Sequence, residues 1–103
     1  MGAPLDTIII GAGTAGLAAL REVRKRTDHF LLVNDGPYGT TCARVGCMPS
    51  KVLIEAANAF HARTRLDAFG IRGAGGLAVD LPAVLRRVRE LRDFFVAGVL
   101  EAT

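Results

Sequence analysis

The spacing of apolar residues changes period along the chain. Residues 5–10 (LDTIII) are β-branched and apolar and end at a glycine-rich turn. Such a run predicts a strand buried on both faces. Over residues 14–26 the period becomes helical: Leu17, Leu20 and Val23 share one face, and Arg24, Lys25 and Arg26 gather at the C-terminal end, where the helix dipole favours positive charge. His29 to Val33 (HFLLV) is a second short apolar run and predicts another strand. Strand, helix and strand within about 30 residues make a βαβ unit with parallel strands and a right-handed crossover.

Residues 34–47 (NDGPYGTTCARVGC) predict a loop, since glycine, proline and small residues leave no regular period before Cys42. From Pro49 to about Leu66 helical spacing returns, with Val52, Leu53, Ala56, Ala59 and Phe60 on one face. Residues 67–80 hold Gly70, Gly73, Gly75 and Gly76 and predict a loop or loose hairpin. A last helix is predicted from about Pro82 to Leu100, with Asp80 as cap and a stripe of Leu81, Leu85, Val88, Leu91, Phe95 and Val99.

Composition narrows the class. A length of 103 residues allows one domain at most. Half of the residues are hydrophobic, which excludes a disordered chain. Two cysteines are too few for a secreted disulfide scaffold. The uncharged run from Thr7 to Leu20 is shorter than the roughly 20 residues of a membrane span, and Asp6 precedes it without a basic segment. The expectation is a cytoplasmic chain that meets no membrane. The net charge of +3 is mild, and its basic clusters at 21–26 and 86–92 contain Glu22 and Glu90. They read as solvated helix faces and imply no nucleic-acid partner, because no aromatic platform interleaves them.

Gly11-Ala-Gly13-Thr-Ala-Gly16 fits G-x-G-x-x-G between a predicted strand and a predicted helix, the context in which that pattern binds a dinucleotide. Gly11 permits the tight turn, Gly13 lets the backbone approach a pyrophosphate, and Gly16 lets helix and strand pack closely. Phosphates would rest on the backbone N–H groups that open the helix, at Thr14 and Ala15. The alternative is a glycine-rich turn without a ligand. A dinucleotide fold usually places an acid at the end of the second strand to hold a ribose. Here Asn34 follows Val33, and Asp35 comes next. Either could serve the ribose, or both could only build the turn before Gly36-Pro37.

Cys42 and Cys47 are the only cysteines, and with His29 and His61 they do not make the ligand spacing of a structural zinc site. No metal is expected. Two unrelated thiols or a redox pair remain. In an ideal helix, residues i and i+5 lie about 8–9 Å apart at Cα, beyond the roughly 7 Å a disulfide tolerates. A paired Cys42 and Cys47 therefore requires a distorted segment between them, and Gly46 is placed to allow it.

With these residues in view, TTCARVGCMPSK at 40–51 resembles the redox-disulfide signature of the class I pyridine nucleotide-disulfide oxidoreductases. Its pattern is most similar to the dihydrolipoamide dehydrogenase branch; the mercuric and glutathione reductase branches, or a non-catalytic nucleotide-binding module, are the alternatives. The resemblance covers residues 5–103. It implies an α/β fold: a Rossmann-like FAD-binding βαβ unit followed by helices, with residues 1–103 forming the N-terminal part of a larger FAD/NAD(P)-binding fold. It implies FAD at the glycine turn, Gly11 to Gly16, with NAD(P) bound elsewhere in the full-length enzyme. Cys42 would be the interchange thiol that meets a lipoyl or small-molecule dithiol. Cys47 would be the charge-transfer thiol against the flavin, and Lys51 would approach the flavin ring. Thr40 and Thr41 would lie near the pyrophosphate. A homodimer is implied for the full-length form. Three places depart from the pattern: Gly39-Thr40-Thr41 stands where Gly-Gly-Thr is common, Asn34 replaces the usual acid, and Ala43-Arg44 replaces hydrophobic-Asn.

The chain shows no second glycine turn behind a strand, and neither His29 nor His61 is placed as the family's acid/base histidine. The expectation is an N-terminal piece that is inactive by itself.

Overall fold

The computed structural model describes residues 4–103. β1 (Thr7–Ile10) pairs in parallel with β2 (Phe30–Val33), in the register Thr7 to Phe30 through Ile10 to Val33. α1 (Thr14–Val23) connects them, so the βαβ order expected from periodicity is present. The strands are shorter than the apolar runs by one or two residues at their N-terminal ends. There Asp6 donates its N–H to the His29 carbonyl at 2.8 Å, and its carboxylate accepts from Thr27 Oγ1 at 2.5 Å. Helix α1 ends at Val23 rather than Arg26, and residues 24–26 form a turn.

Expected burial of the strands on both faces is not met. Ile9 is buried beside α1, while on the opposite face Ile10 is 86% exposed and Ile8, Leu31 and Val33 are also exposed. Alternate side chains of a strand point to opposite faces, and α1 covers one of them. The apolar runs are suited to a sheet with two covered faces; the described residues supply one cover.

A helical arm follows. α2 (Thr41–Val45) is a short helix where the sequence predicts loop. α3 (Cys47–His61) continues after a break at Gly46, and a 3-10 helix over Ala62–Phe69 replaces the last turns of the predicted helix. Gly70, in the left-handed region at φ 76°, ends it. Residues 67–80 contain no hairpin; a second 3-10 turn lies at Ala74–Gly76. α4 (Leu81–Ala102) starts where Asp80 and Pro82 predict, with the Asp80 carboxylate accepting from Ala83 N–H at 3.1 Å. It packs along α3 and α2. Its stripe is only half covered, and no residue of α4 is fully buried.

The chain is elongated. Its extents are 72 × 25 × 16 Å and its radius of gyration is 21.0 Å, against about 13 Å for a compact chain of this length. The buried apolar residues are Ile9, Ala12, Leu20, Ala43 and Val52. This is a partial Rossmann-like α/β unit with a helical hairpin, its core concentrated where α1 meets the sheet and where α2, α3 and α4 meet. Among the described residues, no helix is long and apolar enough to cross a membrane.

Candidate active site

The protein itself requires glycine at two of the three turn positions, for two different reasons. Gly11 has φ +106°, a conformation that side chains rarely adopt. Gly16 lies against the turn: a Cβ there would stand 1.8 Å from the Gly11 carbonyl oxygen and 3.6 Å from Ile9 Cγ2. Gly13 has neither constraint. Its φ of −80° and ψ of −169° suit any residue, and a Cβ would meet nothing within 4 Å. The space over Gly13 is open, and Gly13, Thr14 and Ala15 are exposed. Gly13 caps α1 without a side-chain hydrogen bond, and the first intrahelical N–H bond runs from Leu17 to Gly13 at 2.9 Å. The N–H groups of the first turn therefore have no partner within the helix.

The turn is tied to β2. Gly11 N–H donates to the Val33 carbonyl at 2.7 Å, and Ala12 N–H donates to Asn34 Oδ1 at 3.0 Å. Asn34 Nδ2 donates to the carbonyls of Gly36 at 3.2 Å and Pro37 at 3.3 Å. Asp35 is exposed. Asn34 thus joins the two loops beyond the sheet, an arrangement that residue type and spacing do not suggest because it depends on strand register.

Gly39 takes φ +119°, and α4 crosses it so closely that a Cβ would meet Val96 Cγ1 at 2.8 Å. Thr40 follows at φ 66° and ψ 152°, the only described residue other than glycine with positive φ. A β-branched residue is strained there. Thr40 nevertheless caps α2, its Oγ1 accepting from Ala43 N–H at 3.1 Å. This position is one of the three that depart from the family pattern, where glycine is common, and the backbone accounts for the glycine. Thr40→Gly is expected to raise stability by about 1 kcal/mol, since released strain of roughly 1–3 kcal/mol outweighs a capping loss of a few tenths. Thr40→Ala keeps the strain and loses the cap, and is expected to lower stability by about 1 kcal/mol. Urea unfolding of the two variants reads the signs; equal shifts would refute the strain.

The two cysteines come together. The helix breaks between them at Gly46, with φ −122° and ψ −119°, and a Cβ at Gly46 would lie 3.1 Å from the Thr41 carbonyl oxygen and 3.4 Å from Cys42 Cα. The close return that the spacing argument requires is made by this glycine. Both cysteines are free thiols, and each shifts the acidity of the other. The neighbouring Cys42 side chain, together with the Cys47 backbone N–H and the positive charge of Lys51, holds the Cys47 thiol below the ordinary value of 9.0, against a smaller opposing effect of desolvation. The neighbouring Cys47 side chain, desolvation and the Cys47 charge raise Cys42. Cys47 is exposed and Cys42 half-buried.

One cavity of about 310 Å³ is lined by Thr14 at the start of α1, by Thr40, Cys42 and Met48, and by Leu20 and Val99. Thr14 is the one residue of the glycine turn in this lining and Cys42 the one cysteine; the face of α1 and the end of α4 supply much of the rest. Thr41 and Lys51 are exposed on α2 and α3, and Lys51 is felt electrostatically by both sulfurs. His29 and His61 are both exposed; His61 ends α3, roughly 20 Å along the helix from Cys47.

A family model described as pyridine nucleotide-disulphide oxidoreductase matches residues 5–99. The dihydrolipoyl dehydrogenase of Bacillus subtilis (strain 168) is 37% identical over 92 residues, which cover 88% of this chain and 20% of that protein. The mercuric reductase of Serratia marcescens is 36% identical over 107 residues, covering 95% and 22%. The dihydrolipoyl dehydrogenase of Mycoplasma genitalium is 33% identical over 94 residues, covering 91% and 21%. The chain spans about a fifth of the length of these relatives.

Proposed function

The chain belongs to the pyridine nucleotide-disulphide oxidoreductase family, and from that premise we propose that it is the FAD-binding, disulfide-bearing segment of a dithiol oxidoreductase of the dihydrolipoyl dehydrogenase type. The observation that carries this reading is the cavity shared by Thr14 and Cys42, with Cys47 returned beside Cys42 across the break at Gly46, near enough for each thiol to shift the other's acidity. The residues fit a dinucleotide: Gly13 is glycine for no reason inside the protein, and the space above it is where a pyrophosphate would approach. The N–H groups of Thr14, Ala15 and Gly16 would receive the phosphates at the positive end of α1. When bound, FAD would supply a two-electron acceptor and donor beside the sulfurs.

The protein's own part follows from the acidity order. In the oxidised pair, a substrate thiolate attacks Cys42 Sγ, the bond to Cys47 breaks, and Cys47 leaves as thiolate. The more acidic sulfur is the better leaving group, and Cys47 is the one held low. The second substrate thiolate then displaces Cys42 and closes the substrate disulfide. Two electrons have moved to the cysteine pair, and the substrate dithiol has been oxidised. Lys51 holds negative charge at Cys47 by its own positive charge.

The proposed partners are a lipoyl or small-molecule dithiol, NAD(P), and a second copy in a cytoplasmic homodimer. The test is spectroscopic. The purified natural gene product is expected to carry a yellow flavin whose absorbance changes when dithiothreitol reduces the cysteine pair. A colourless protein that takes up no FAD sinks the reading. The mercuric reductase relatives make Hg(II) reduction the second assay, beside oxidation of dihydrolipoamide.

A further inference from the structure

We infer that Asn34 is a positioning residue that sets the two nucleotide-facing loops, and that it is not a ligand of the nucleotide's ribose. The inference rests on the FAD reading above and departs from the role that an acid usually has at this position.

The argument starts from the ladder between β1 and β2. Its last backbone rung is Gly11 N–H to the Val33 carbonyl. The next N–H, that of Ala12, belongs to a residue only 2% exposed, and it finds no further strand to meet. The Asn34 side chain supplies the missing acceptor at 3.0 Å. A buried N–H without an acceptor is costly, so this bond is part of the turn's construction. The other end of the amide donates to the carbonyls of Gly36 and Pro37. The orientation is set by chemistry: an N–H needs the oxygen, and two carbonyls need the nitrogen.

An acid cannot fill this place equally well. A carboxylate side chain at position 34, whether of aspartate or glutamate, would accept from Ala12 but would face two carbonyl oxygens with no donor between them. Asparagine is the residue type that satisfies both loops. With its oxygen on Ala12 and its nitrogen on 36 and 37, Asn34 fixes how the glycine turn and the loop leading to Thr40 face each other. The Ala12 N–H is also withdrawn from any phosphate, which leaves the cradle to the N–H groups that begin α1.

The test uses the natural gene product, freed of flavin and titrated with two ligands by fluorescence: FAD, and an FAD analogue lacking the 2′- and 3′-hydroxyls of the adenosine ribose. Asn34→Ala is expected to weaken both by the same factor, about threefold to tenfold for the loss of its three hydrogen bonds, and to lower the urea midpoint of the flavin-free protein. Asn34→Asp, which keeps the Ala12 acceptor, is expected to fold and to show a smaller, again equal, penalty. A penalty seen with FAD and absent with the analogue makes Asn34 a ribose ligand and overturns the proposal. An unchanged affinity for both ligands, with only the midpoint lowered, reduces Asn34 to a structural residue and overturns it too. A wild-type protein that binds neither flavin defeats the FAD reading itself, and the positioning role with it.

Discussion

Gly16→Ala is expected to destabilise the protein by about 2 kcal/mol and, on the proposed FAD reading, to abolish tight flavin binding. The added methyl would stand 1.8 Å from the Gly11 carbonyl oxygen, which is backbone and cannot rotate away. Overpacking of this kind costs typically 1–3 kcal/mol, and the gain in helix propensity from glycine to alanine returns at most about 1 kcal/mol. The contact is severe enough to place the cost at the upper end. To relieve it, α1 must lift from the turn, and Leu20, the largest fully buried side chain, lies one turn further on. Gly13→Ala is the contrasting variant. A methyl there meets nothing in the protein, so thermal stability is expected to hold or rise slightly while FAD affinity falls. Thermal unfolding without flavin and flavin titration separate the two. Equal losses of stability in both variants would remove the assignment of Gly13 to the ligand and Gly16 to packing.

The contrast bears on what the sequence discloses. The βαβ order, the start of α1 at Thr14 and the cap at Asp80 were legible, because each rests on local chemistry: a period of apolar residues, a glycine turn, a carboxylate three residues before an N–H. The distortion at Gly46 was legible too, since the reach of a disulfide is incompatible with five residues of regular helix. Helix α2 was not. Thr41–Val45 has no period long enough to detect, and its cap is a threonine in a conformation no propensity would assign it. Its stability comes from α3 and α4 packed against it, which is tertiary information. Burial of the strands failed for the opposite reason. Ile8, Ile10, Leu31 and Val33 are suited to a covered sheet face, and nothing among the described residues covers them. The bond from Ala12 to Asn34 spans 22 residues, so it could not be read before the register of β1 against β2 was known.

The largest effects on chemistry are expected at the cysteines. On the proposed reading, Cys42→Ala and Cys47→Ala in the natural gene product should each lower dithiol turnover on the order of a thousandfold or more, because each removes a sulfur from a two-sulfur exchange and such units fail together. Loss of activity alone would not distinguish the roles; titration does. In the native pair, the neighbouring Cys42 thiol is the largest cause that lowers Cys47, and the Cys47 thiolate forms below 9.0. Deleting the Cys42 thiol removes that cause, so the alkylation rate of Cys47 against pH should inflect higher, towards 9.0. Cys42 carries the reverse dependence, raised first by the neighbouring Cys47 side chain and further by desolvation and by the Cys47 charge. Deleting the Cys47 thiol should move the Cys42 inflection down. Lys51→Ala should raise both, by less than the cysteine deletions, since its charge is the last and smallest cause at each sulfur. The two single-cysteine variants thus converge from opposite sides. If their inflections match those of the same sulfurs in the native pair, the thiols do not share a proton. Cys47 would then have no claim to be the better leaving group, and attack at Cys42 would lose its chemical basis.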